Sequence, residues 1–128
     1  MSALLDAYNL LADPINPLGL NPDYVFNYFV PDTMPDGTPK ENVQTLVLLT
    51  NIQGNPTNYA SNQSRELVSK IQVQIWFEYT DPLAEQYEGL LRTYFETNSF
   101  QEYYFLVDKD PDLDKLFLTA KFIKIDSN

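Results

Sequence analysis

The chain is 128 residues long, a length for one domain, and sets 18 Asp and Glu against 8 Lys and Arg for a formal charge of −10. Its positive residues (Lys40, Arg65, Lys70, Arg92, Lys109, Lys115, Lys121, Lys124) stand singly, so no basic patch exists to displace counterions from nucleic-acid phosphates or to adhere to an anionic membrane. The absence of Cys and His removes a disulfide framework, thiolate chemistry and the commonest proton shuttle, while nine Tyr, eight Phe and one Trp argue against disorder along the chain.

The opening MSALLDAYNLLADP lacks a basic leader and carries Asp6 and Asp13, so it does not read as a secretory signal. No apolar run approaches the length of a membrane span. Residues 2–12 predict a short amphipathic helix, with Leu4, Ala7, Tyr8 and Leu11 at helical spacing, Ser2 at the start and Pro14 blocking continuation. Residues 13–23 carry Pro14, Pro17, Gly19 and Pro22, which predicts an ordered but irregular connection. Tyr24–Val30, rich in aromatic and β-branched residues, predicts a strand, and the proline-rich stretch 31–42 a loop. Val43–Thr50 is apolar on both faces, as expected of a strand within a covered sheet. Residues 51–64 are polar, rich in Asn and nearly uncharged; a loop of that length in a compact domain is usually functional or partly disordered.

Leu67–Tyr79 is the clearest strand, because apolar and polar residues alternate along its whole length. Asp81 is placed to cap a following helix with Pro82 at its first position, and Leu83, Tyr87, Leu90, Leu91 and Tyr94 supply an apolar stripe ending at Asn98. Ser99–Val107 and Lys115–Ile125 predict an antiparallel hairpin closed by the turn DKDPDLD. The predicted order is α-β-β-β-α-β-β. It amounts to one α+β domain over residues 1–128, a largely antiparallel sheet with its helices on one face.

The alternating acids Asp108, Asp110, Asp112 and Asp114 begin like a calcium loop. However, Leu113 and Thr119 occupy the positions that need glycine and a bidentate glutamate, and strands flank the segment, so a solvated turn is the better reading. Nothing singles out a catalytic pair among the acids. No carboxylate stands alone in an apolar run where burial would raise its pKa, and Glu78 and Glu102 lie on a polar face or near a strand end. No serine has a neighbouring base, and no glycine-rich phosphate loop is present, so no enzyme, cofactor or metal is expected. Trp76 points away from the main apolar face, and has two readings: a second helix covers that face, or the indole anchors a neighbouring subunit.

The run PTNYASNQSRELVSKIQVQIWFEYTDP (residues 56–82), with the hairpin ending FLTAKFIKI, resembles a family of small structural proteins from long-tailed phages of Gram-positive bacteria. The similarity extends from about Val43 to Ile125. It implies a tail terminator: a virion subunit that assembles in the host cytoplasm into a hexameric ring with copies of itself. Such a ring caps the tail tube and joins it to a head-completion or neck protein, and DNA passes through without specific binding. Expected contacts are Asn55, Thr57, Asn58 and Tyr59 in the long loop, with Gln72, Gln74 and Trp76 on the polar strand face. Asp108, Asp110, Asp112 and Asp114 are the candidates for an acidic bore that repels phosphate. The rival expectations are another neck or tail component, such as a head-closure or tube protein, and an acidic adaptor or DNA mimic.

Overall fold

The computed structural model describes residues 3–52, 70–110, 112 and 115–125. Two helices, α1 (Ala3–Leu11) and α2 (Tyr87–Thr97), accompany five strands: β1 (Val25–Asn27), β2 (Leu46–Ile52), β3 (Lys70–Phe77), β4 (Phe100–Asp110) and β5 (Lys115–Lys124). The strands form one sheet in the order β1-β2-β3-β5-β4. Only the β1–β2 ladder is parallel; the β2–β3, β3–β5 and β4–β5 ladders are antiparallel. The α+β class and the mostly antiparallel sheet agree with the sequence.

Alternation in β3 decides which face is covered. Ile71, Val73, Ile75 and Phe77 are fully buried, and β5 sets Leu118, Ala120 and Phe122 beside them. Both helices pack on that side. Ala3, Ala7 and Leu11 of α1 and Tyr87, Leu91 and Phe95 of α2 are the buried positions, spaced one helical turn apart. Phe95 sits 4.6 Å from Phe122 and 5.1 Å from Phe100 by ring centroids, in tilted geometries that favour aromatic pairs.

Several boundaries differ from the sequence reading. The first strand is only Val25–Asn27, because Tyr24 ends a short 3-10 turn and Tyr28 takes a positive φ of 68°. The fourth strand runs on to Asp110. The start of the long strand before Lys70 lies outside the described residues. The second helix begins at Tyr87 rather than after Asp81. Asp81 does not cap it: its carboxylate accepts from the Leu83 N–H at 2.8 Å and from the Tyr87 hydroxyl at 2.7 Å. Residues 81–86 therefore wind as turns, with Ala84 N–H bonded to the Asp81 carbonyl and Gln86 N–H to that of Leu83.

The connection at 13–21 is irregular and ordered, and one side chain organises it. Buried Asn16 donates to the carbonyls of Leu11, Asp13 and Leu20, and its side-chain oxygen accepts from the N–H groups of Leu18 and Leu20. Gly19 supplies the positive φ of 71° that the turn needs. The loop thereby carries Leu18 and Leu20 into the main core.

Candidate assembly surface

With both helices on one side, the opposite face of the sheet is left without a helical layer among the described residues. Lys70, Gln72, Gln74 and Trp76 of β3, and Phe117, Thr119, Lys121 and Ile123 of β5, project there half-buried. Gln74 Nε2 reaches Thr119 at 3.5 Å. Trp76 stacks on Phe117 at 5.8 Å, and its indole N–H donates to Asp110 Oδ2 at 2.7 Å. The cover beside Trp76 comes from a small second core of Met34 and Val43, carried by the loop between β1 and β2, and Leu46 of β2.

Strand β4 is the exposed edge of the sheet, and its outer side pairs with no other described strand. The register slips between Glu102 and Tyr104. A bulge of this kind puts consecutive side chains on one face. Tyr103 and Tyr104 accordingly both stand on the open face, beneath the ammonium groups of Lys70 (5.4 Å to the ring centroid) and Lys121 (4.6 Å). From there the strand outruns the helix covering its other side. Tyr103, Tyr104, Phe105, Leu106 and Val107 are exposed in unbroken succession, with Phe105 at 40% and Leu106 at 46%. An apolar edge of this length, with no proline, invites strand pairing or burial by a partner.

A second apolar exposure lies at the opposite edge. Tyr28 and Phe29, just after β1, are 60% and 69% exposed. They border a groove of about 650 Å³ on the open face, whose floor includes Leu46, Leu48 and Trp76. Glu41, Asp110 and Asp112 stand around it with Lys40, which pairs with Asp32 at 3.4 Å.

Of the contact residues expected from sequence, Gln72, Gln74 and Trp76 share the open face, while Asn55, Thr57, Asn58 and Tyr59 lie outside the described residues. Asp108, Asp110 and Asp112 gather where the β4–β5 hairpin closes; Asp114 lies outside the described residues. Asp110 is committed to Trp76 and to the Asp112 N–H, and Asp108 accepts from the Lys109 N–H. Among the described residues no group of carboxylates is placed to hold a metal ion. No described helix is long and apolar enough to cross a membrane.

One acid departs from the sequence reading. Glu102 lies under α2, where burial, and then the neighbouring Glu88 carboxylate, push its pKa up to about 7; Arg92, 3.9 Å away, pulls the other way and Glu96 adds to the rise. Its Oε2 is buried with no hydrogen-bond partner among the described residues, and Arg92 is already ion-paired to Glu88. The expectation that no carboxylate is raised by burial is therefore corrected at this residue: the strand end that seemed polar is roofed by a helix. A carboxyl raised from 4.5 in the folded state binds its proton more tightly there than in the unfolded chain. Its contribution to stability is full at low pH and is lost as pH rises through about 7. Glu102→Gln is expected to stabilise the fold at pH above 7, on the order of 1 kcal/mol after allowance for solvent screening. It should also flatten this part of the pH profile. Urea denaturation of both proteins at acidic and alkaline pH measures this; equal curves would place the raised group elsewhere.

The family described as a protein of unknown function, DUF806, matches residues 20–117, which takes in β1 to β4, helix α2 and the first three residues of β5. The chain belongs to the DUF806 family. No curated protein matches it. The part of the DUF806 fold thus matched holds both exposed apolar regions, the Tyr28–Phe29 rim and the Tyr103–Val107 strip. Helix α1 precedes it.

Proposed function

We propose that this chain is a structural subunit of a phage virion, a tail terminator that acts by assembling into a ring with copies of itself. The ring caps the tail tube and joins it to a head-completion protein. The observation that carries the self-assembly is the run of five exposed apolar side chains, Tyr103–Val107, on an edge strand whose outer side pairs with no other described strand. Such a surface is a liability for a solitary molecule and an asset for an obligate subunit. The phage setting rests on the sequence resemblance over 56–82 and 117–125. The acid excess has a use in that setting, since carboxylates facing a bore keep DNA from adhering. Asp108, exposed at one end of the sheet, is the described residue to line it, since Asp110 is held against Trp76.

Light scattering on the purified chain, with negative-stain microscopy, tests this reading. A hexameric ring is the expected result, formed either by the chain alone or on addition of purified tail tubes. A chain that stays monomeric in both conditions, and captures a basic protein instead, would move the assignment to the acidic mimic.

A further inference from the structure

The two exposed apolar regions stand on opposite edges of one sheet, separated by the breadth of five strands, roughly 19 Å at the usual interstrand spacing. The strip on β4 is hydrogen-bonded to β5 along its length, so a copy cannot fold its own strip into its own groove. A ring of more than two copies needs two different patches per subunit, meeting head to tail around a closed rotation. We propose that the occupant of the groove bordered by Tyr28 and Phe29 is the Tyr103–Val107 strip of a second copy. This inference rests on the self-assembly reading above and adds to it which surface meets which.

Charge favours this arrangement over the symmetric alternative. The strip carries Lys70 and Lys121 with it, held over the rings of Tyr103 and Tyr104. The groove presents Glu41, Asp110 and Asp112, while Lys40 is engaged by Asp32. Strip against groove sets lysine against carboxylate. Strip against strip, with the open faces meeting, would set lysine against lysine, and like charges brought together in this way oppose a wrong pairing. The strip exposes side chains on both faces of the strand, and the groove offers a concavity floored by Leu46, Leu48 and Trp76 to receive them. Trp76 then meets the neighbour from the groove floor. There it is fixed by Phe117 and Asp110, as suits a rigid aromatic anchor at the centre of an interface.

The chain has no cysteine, which makes the arrangement directly testable. Phe29→Cys and Leu106→Cys are made separately and together, and Tyr28→Cys with Tyr104→Cys serves as an independent second pair. All four positions are exposed, so folding is expected to be retained, as circular dichroism checks. Under a mild thiol oxidant, each single variant should remain uncrosslinked, their mixture should give a two-chain product, and the double variant a ladder closing at the ring size. Leu106→Cys homodimers would overturn the proposal in favour of symmetric strip pairing. An assembly that forms but shows no crosslink with either pair would overturn the junction and leave self-assembly standing. A chain that remains monomeric with and without tail tubes would overturn both.

Discussion

Asn16→Ala is expected to cost about 3 kcal/mol of folding stability, or roughly 10 °C in Tm for a chain of this size. The side chain is a hub rather than a single contact. Its amide donates to three carbonyls, at 3.3 Å (Leu11), 2.9 Å (Asp13) and 3.0 Å (Leu20), and its oxygen accepts from Leu18 at 3.1 Å and Leu20 at 3.0 Å. Alanine would leave these buried backbone groups without a partner where water cannot readily replace it, and that desolvation is the larger part of the loss. The loop also holds Leu18 and Leu20 in the core, so its loosening spreads to apolar packing. Asn16→Asp separates the two halves of the hub: it retains the acceptor but turns a carboxylate toward three carbonyl oxygens. It should destabilise at least as much near neutral pH and recover in part as the carboxyl protonates. Urea denaturation decides the matter. A loss below about 1 kcal/mol for Asn16→Ala would mean that the loop holds its shape through Gly19 and the prolines alone.

Much of this fold is legible in the sequence because local pattern and tertiary environment agree. Ile71, Val73, Ile75 and Phe77 alternate with polar residues and lie buried under the helices. The α2 stripe places Tyr87, Leu91 and Phe95 inward. Where the reading fails, a side chain has diverted the backbone, or an uncovered edge has defeated a rule about burial. Asp81 carries the signature of a helix cap, yet it spends its carboxylate on Leu83 and Tyr87, which delays the helix by a turn and more. The candidate surface was harder still to see. A continuous run such as Tyr103–Val107 reads as a strand buried on both faces, and periodicity cannot tell such a strand from one that awaits a partner. Only the strand order, with β4 outermost, makes the difference. The raised pKa of Glu102 was hidden similarly, since α2, distant from it in sequence by ten residues or more for Glu88 and Arg92, supplies the burial and most of the charge.

Leu106→Glu is expected to dissolve the proposed assembly without unfolding the subunit. The side chain is 46% exposed in the isolated chain, so its replacement costs little in folding, whereas at a closed junction it would be buried among apolar neighbours. Losing an apolar contact there forfeits about 1.5–3 kcal/mol, and leaving a carboxylate unpaired beside Glu41, Asp110 and Asp112 adds repulsion. A combined weakening of about 4 kcal/mol per junction lowers each association constant roughly a thousandfold, and a closed ring has no junction to spare. Leu106→Lys removes the same apolar contact but brings the opposite charge to the acidic groove. It should therefore weaken assembly much less than Leu106→Glu, and the gap between the two should narrow as salt rises. Sedimentation velocity across a concentration series, with thermal melting of each variant as the folding control, measures the difference. Equal disruption by both charges would mean that the carboxylates do not face the strip, even if the contact itself is apolar. Unchanged assembly by both would remove β4 from the junction.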